Sequence, residues 1–342
     1  MPVSDPMSDN SDSSQTPSAP APAIAPDADP APALLTSRRL RALVRPDMTG
    51  YFFAAAGAFL FSTKAIIIKL AYADAIDAET LLALRMGLSL PFYFVIGAMA
   101  WRDRKALGTL PRWGTIWRAA FIGVLGYWFA SYTDFLGLEY ISAQFERLIL
   151  FTYPLFVVLF GALFFGQRIR ARALLATLVS YAGLAVIFLQ KANSGNSAIE
   201  IGAALVLSAA IAFAFYQLLA KDPIAIMGPR LFTCIAMSGA AVGAFIQFFL
   251  THNASALVVN ATGFGYAFLL AIGATVLPSF FLNAALSRIS AHANATISTL
   301  SPVITIGLAV VILGEQLSLI EGVGAVLVLL GVGWFTLASR PK

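Results

Sequence analysis

The sequence predicts an all-α polytopic membrane protein, with ten transmembrane helices arranged as two inverted five-helix repeats. Three observations carry that expectation. Hydrophobic residues make up 59% of the chain and charged ones 11%, against roughly 25% charged in an ordinary soluble domain; the mean hydropathy is +0.82. Ten apolar segments follow one another, each near the ~20 residues that cross a ~30 Å hydrocarbon core as a helix. Finally, residues 131–190 recur without a gap, shifted by 148, as residues 279–338. Ten of those sixty positions are identical. Pro154 falls on Pro302, Gly166 on Gly314 and Gly183 on Gly331. Weak internal symmetry between hydrophobic halves is the sequence mark of a secondary transporter.

Taken in order, residues 1–36 are rich in Ser, Pro, Ala and Asp and read as a disordered tail, with neither the basic start nor the apolar run of a signal peptide. The basic residues Arg38, Arg39, Arg41 and Arg45 precede the first span. The apolar segments lie at 50–71, 78–100, 116–137, 142–165 and 171–189, then at 199–219, 230–250, 263–286, 291–313 and 318–338. The first repeat is therefore placed at 37–192 and the second at 193–342. None alternates polar and apolar residues as a β-barrel strand would.

Orientation follows from counting. With the N-terminus inside, seventeen of the twenty-two Lys and Arg residues fall in cytoplasmic tails, loops or span ends, and only Lys191 in an outside loop. The reverse orientation violates the positive-inside rule at almost every turn. Both termini are expected in the cytoplasm, and the Ala-rich chain suggests a bacterial inner membrane. Five spans per repeat, an odd number, force the second copy to cross upside down. The pI near 9.4 reflects this loop charge rather than a nucleic-acid partner. One cysteine, Cys234, excludes an intrachain disulfide, and two histidines leave little material for a metal site. No cofactor is expected.

Two signatures carry a family resemblance. Tyr140-Ile141-Ser142-Ala143 runs into Leu150-Phe151-Thr152-Tyr153-Pro154 and closes at Phe165-Gly166-Gln167-Arg168. Ile289-Ser290-Ala291 runs into Ser298-Thr299-Leu300-Ser301-Pro302 and closes at Leu313-Gly314-Glu315-Gln316. Over about residues 50–338 the chain resembles the EamA-type permeases of the drug/metabolite transporter superfamily. That family usually closes both signatures with Gly-Glu-Arg; here Gln167 and Gln316 depart from it, and these positions read as helix-end caps. The resemblance implies a central cavity surrounded by spans 1, 3, 4, 6, 8 and 9, with 5 and 10 outside it, and transport of small solutes without ATP hydrolysis.

Ionisable residues inside spans are costly and are functional candidates. Lys64, Arg85, Asp134, Glu146 and Arg147 all fall in one outer layer of the first repeat, roughly 5–11 Å below the span ends at 1.5 Å per residue. In the second repeat Asn294 and Ala295 stand where the first has Glu146 and Arg147, and Tyr216 stands approximately where it has Lys64. Three cations and two carboxylates leave one surplus positive charge, which calls for water or an anionic group. The expected substrate-binding residues are Lys64, Arg85, Arg147, Tyr153, Tyr216, Asn283 and Ser298, and the substrate is expected to bear a carboxylate or similar acceptor. Glu146 and Asp134 are the expected coupling residues for a proton or another ion. Pro154 and Pro302 are expected hinges, since each removes a mid-span backbone hydrogen bond. The competing structural reading is an ion-pair network in which Glu146 pairs with Lys64 or Arg85. Lys69, near a span end, is expected to snorkel. The glycines of span 10 suit close helix packing, within the chain or in a homodimer.

The function expected is thus a secondary permease or exporter of a small polar or amphipathic metabolite, working by alternating access. The rivals are a channel or non-transporting sensor and, further off, an intramembrane enzyme.

Overall fold

The computed structural model describes residues 48–166, 171–192, 197–286, 288–289, 297 and 300–338. Among these, regular structure is helical throughout and no strand occurs. In chain order the helices are α1 (Met48–Ser62), α2 (Lys64–Ala73), α3 (Ala78–Ala106), α4 (Trp113–Gly123), α5 (Ala130–Tyr140), α6 (Ala143–Leu150) and α7 (Tyr153–Phe165). There follow α8 (Ala171–Ala192), α9 (Ser197–Leu219), α10 (Lys221–Thr251), α11 (Ala261–Phe268), α12 (Leu277–Leu286), α13 (Ser301–Leu313) and α14 (Leu319–Ala338). Among the described residues, six helical stretches are long and apolar enough to cross a membrane: Met48–Ala73, Ala78–Ala106, Ala143–Phe164, Ala198–Leu219, Lys221–Thr251 and Ala261–Phe281. Leu178–Gln190, Ser301–Leu313 and Leu319–Trp334 are shorter apolar helices. Large apolar side chains such as Phe94, Val311 and Leu319 point outward and are well exposed. A surface of that kind belongs in lipid.

Helix ends follow ordinary chemistry. Asp77 caps α3 by accepting the Thr80 N–H at 2.8 Å. Glu79 sits in the first turn of α3 and Arg104 and Lys105 in its last, so both ends complement the helix dipole. α7 and α13 both end on a glycine in the left-handed region, Gly166 at φ 64° and Gly314 at φ 66°, where a Cβ would strain the backbone.

Four segments that read as continuous in sequence are interrupted. The first breaks at Thr63, between α1 and α2. The third holds a π-helical stretch, Val124–Phe129, between α4 and α5, and the eighth holds another, Leu269–Val276, between α11 and α12. The fourth breaks at Phe151-Thr152 rather than kinking within one helix. Pro154 is thus the second residue of α7, and Pro302 likewise the second of α13. There the missing proline N–H costs nothing, because the first-turn donors have no intrahelical partner. α10 contains a further break, at Gly228 (φ 76°, ψ 158°) before Pro229.

Packing brings α8 against α14, α3 against α10, α5 against α9, α1 against α12, and α6 against α13. The α8–α14 contact is backbone to backbone. A Cβ on Gly183 would lie 2.6 Å from Gly324 O, and one on Gly331 would lie 2.5 Å from Ser180 N. The span-10 glycines Gly324 and Gly331 therefore serve packing inside the chain. The main apolar cluster, including Ile67, Leu81, Phe135, Ala240 and Leu270, joins α2, α3, α5, α10 and the second π-helical stretch.

Candidate functional site

The break in the first apolar segment positions the site. The interruption at Phe61-Ser62-Thr63 leaves carbonyls without helical partners, and neighbouring helices supply the donors. Arg147 Nη2, on α6, donates to Phe61 O at 3.1 Å. Thr305 Oγ1, on α13, donates to Ser62 O at 3.0 Å. Ser62 Oγ lies 2.7 Å from Ser301 Oγ, and Arg147 Nη2 donates to that same Ser301 oxygen at 2.7 Å. The Phe61 ring lies under the Arg147 guanidinium, 4.9 Å from its centroid. An irregular backbone at membrane depth is tolerated where protein or a wet cavity surrounds it, and here side chains of α6 and α13 do so.

One residue past the break, Lys64 opens α2. Its Nζ donates to Asp134 Oδ2, on α5, at 2.5 Å and lies 3.8 Å from Glu146 Oε1, on α6. The five charged residues expected to share a layer are all buried, from 0% exposure for Glu146 to 6% for Lys64 and Arg85. The sequence reading left open whether Glu146 pairs with Lys64 or Arg85; the Lys64 ammonium serves both carboxylates, Asp134 the closer.

Magnitudes separate the three cations. A unit charge pair about 4 Å apart gains about 4 kcal/mol at an effective dielectric of 20, comparable to the several kcal/mol that desolvation costs per ion. Lys64 between two carboxylates is thus compensated. Arg147 is held by a carbonyl, a hydroxyl and a ring face, with Glu146 and Asp134 within electrostatic reach. Arg85 differs. Its Nε donates to Thr275 Oγ1 at 2.9 Å, in the second π-helical stretch, and its Nη1 to Ser131 Oγ at 3.2 Å. Phe135 lies 5.5 Å below its guanidinium carbon. Among the described residues, no carboxylate comes within ion-pair distance of Arg85 or of Arg147; Asp134 is within electrostatic reach of both, and Glu146 of Arg147.

The remaining expected residues lie around this centre. Tyr216 is buried, and its hydroxyl donates to Tyr127 Oη at 3.1 Å. The chain of rings continues through Phe213 to Tyr153, whose centroid is 4.9 Å from that of Phe213. Asn283 falls within α12, but its side chain lies outside the described residues, as does all of Ser298. Thr275, Ser131, Ser62 and Thr305 were not anticipated. A polar Ser-Thr pair just before Lys64 in an apolar run was the available signal for the first break.

Glu315, in the closing motif of the second signature and given no role of its own by the sequence, caps a helix of the other half. Its Oε1 accepts from Ala143 N at 2.8 Å and its Oε2 from Gln144 N at 3.2 Å, so the carboxylate covers the N-terminus of α6. Gln144 Nε2 also donates to Glu315 O at 3.5 Å. Gln167, its counterpart in the repeat, lies outside the described residues.

Comparison with known proteins places this arrangement. Residues 48–189 and 200–337 both match the model of the EamA-like transporter family. An uncharacterized transporter of Bacillus subtilis, YcbK, is 28% identical over 288 residues, covering 82% of this chain and 90% of that protein. An uncharacterized transporter of Clostridium kluyveri is 23% identical over 291 residues, covering 82% and 91%. One solved crystal structure superposes with a TM-score of 0.58 at 19% identity, covering 85% of this chain and 97% of that one, and so shares the fold.

Proposed function

We propose that this chain, which belongs to the EamA-like transporter family and is a multi-pass membrane protein with a transporter's role, is a secondary carrier of a small carboxylate-bearing metabolite. It works by alternating access between two inverted five-helix repeats, with both termini in the cytoplasm and the chain in a bacterial inner membrane.

The observation that carries the substrate class is Arg85. Its buried guanidinium has two hydroxyl partners and, among the described residues, no carboxylate within ion-pair distance, and an incoming carboxylate would neutralise it in bidentate geometry. Lys64, Asp134 and Glu146 form the coupling element. Among the described residues neither Glu146 oxygen has a hydrogen-bond donor, so a proton taken up beside Asp134 would find a free acceptor and relieve the repulsion between the two carboxylates. Loss of that proton would tighten the hold on Lys64.

The repeat reading is supported by packing. Numbering the ten apolar segments in order, the principal contacts join 5 with 10, 2 with 7 and 4 with 9, then 1 with 8 and 3 with 6, 3 with 7 and 2 with 8, and 4 with 6 and 1 with 9. Exchanging each segment with the one five places on returns the same set. The π-helical stretches in segments 3 and 8 and the glycine ends Gly166 and Gly314 obey the same exchange. Pro154 and Pro302, each just after a break, are the matched points about which the repeats would rock.

The test is counterflow in proteoliposomes with a panel of labelled amino acids and aliphatic dicarboxylates. At least one should exchange against its unlabelled form, and Arg85→Gln should abolish that exchange while Arg85→Lys leaves part of it. No exchange with any carboxylate, or full exchange by Arg85→Gln, removes the reading. A pore would instead pass label without acceleration by unlabelled substrate.

A further inference from the structure

We infer that Glu315 is the latch that closes one face of this protein, and that its release from α6 is a step of opening. The inference rests on the carrier reading above and adds a residue that reading does not use. Three hydrogen bonds tie the segment between α13 and α14 to the first turn of α6, across 171 or 172 residues of sequence. The carboxylate supplies two acceptors to first-turn N–H groups that no helical carbonyl can satisfy, at the positive end of the helix dipole. The contact also works on the centre. α6 is eight residues long and carries Glu146 and Arg147 within its first five. Holding its N-terminus therefore holds Glu146 beside Lys64 and Arg147 against Phe61 O. Lys69, on α2, and Glu139, on α5, share this end of the molecule with Glu315.

A contact between two halves that move against each other cannot persist in both extreme shapes. With both termini cytoplasmic, α6 begins at the outer face, so the structure has that face latched. The repeat supplies the matching position on the other face with Gln167, a neutral amide. The charge that strengthens such a contact is thus present at only one of the two positions.

Cys234 is the only cysteine, so a Cys234→Ala background accepts a single reporter. Ser62→Cys is close to isosteric, and Ser62 is 0% exposed beside the break. Its reaction rate with a membrane-impermeant maleimide would be measured from each side, in right-side-out and inside-out vesicles, and needs no substrate. Glu315→Ala should raise the rate from the outer face about tenfold, an equilibrium shift of about 1.4 kcal/mol, and lower it from the inner face. Glu315→Gln, which keeps the size and one acceptor, should give a smaller change of the same sign. Unchanged rates in both variants overturn the latch, as does an equal rise from both faces, which signals general loosening. A reciprocal change with the faces exchanged supports the latch and refutes the orientation. Failure of the carboxylate exchange assay leaves this result standing, so the two proposals fail separately.

Discussion

Removing the Lys64 ammonium should damage this protein more than removing Lys64 and Asp134 together. Lys64→Met keeps the length of the side chain but leaves Asp134 and Glu146, 2% and 0% exposed, without the cation that lies 2.5 and 3.8 Å from them. Breaking a buried pair by deleting one partner costs about 3–5 kcal/mol, because the other charge stays behind. At about 2–4 °C per kcal/mol for a chain of this order of size, the detergent-solubilised protein should lose roughly 6–20 °C in melting midpoint. Asp134→Asn alone should cost less, since Glu146 still faces Lys64. In the double variant Lys64→Met/Asp134→Asn a single acid remains, which protonates rather than stay ionised. Its loss should therefore be smaller than that of Lys64→Met alone, and smaller than the sum of the single losses by at least ~1 kcal/mol. Thermal unfolding of the four proteins, followed by circular dichroism in one detergent at one pH, gives the cycle. Additive losses, or a Lys64→Met midpoint within 1–2 °C of wild type, refute the charge assignment at the centre, by the scale just used.

Two further outcomes test the frame. Gly331→Leu forces a side chain into Ser180, where a Cβ alone would lie 2.5 Å from the backbone nitrogen; it should lower stability by about 1–3 kcal/mol or more, while Gly333→Leu, where nothing lies within 4 Å, should be tolerated in the same thermal assay. Asp77 lies outside the apolar segments; burial pulls its carboxyl up, but the Thr80 N–H and hydroxyl and the His252 charge outweigh that and hold it below its usual value. A lowered folded value means that the contribution is present above the ordinary aspartate value of about 3.9 and is lost as pH falls through the folded one. Asp77→Ala should therefore cost about 1 kcal/mol at neutral pH, and the difference from wild type should vanish in acid.

What was legible in the sequence was what repeats or is costly. Apolar runs of the right length gave the helices, because a chain this apolar has no other way to satisfy its backbone in lipid. The five buried charges were found because an ionisable group in a span stands out against its neighbours. The partners of Arg85 were not, because Thr275 and Ser131 are small hydroxyl residues that look alike whether they bond back to their own helix or reach across. Ser208, which bonds back to Leu205 O, has no different local sequence, and Thr275 does both, donating to Leu270 O while accepting from Arg85. The π-helical stretches were likewise silent, since one extra residue in a turn leaves an all-apolar pattern unchanged.

Pro154 and Pro302 show where sequence logic finds the right residue in a different local setting. A proline in an apolar run reads as a kink in one helix, yet both stand in the first turn of a new helix, where their geometry fits without strain. The break that bears on the charges lies in the first segment and involves no proline. It persists because Arg147 and Thr305 satisfy the carbonyls it frees, each unsatisfied group being worth several kcal/mol in hydrocarbon. Arg147 is therefore tied to the backbone of α1 as well as to the charges, and its loss exposes Phe61 O and leaves Ser301 without its cation. A transport defect in an Arg147 variant mixes these effects with any contact to substrate, whereas Arg85, bonded only to two hydroxyls among the described residues, can be neutralised without freeing a backbone group. That asymmetry makes Arg85 the cleaner probe of what the centre binds.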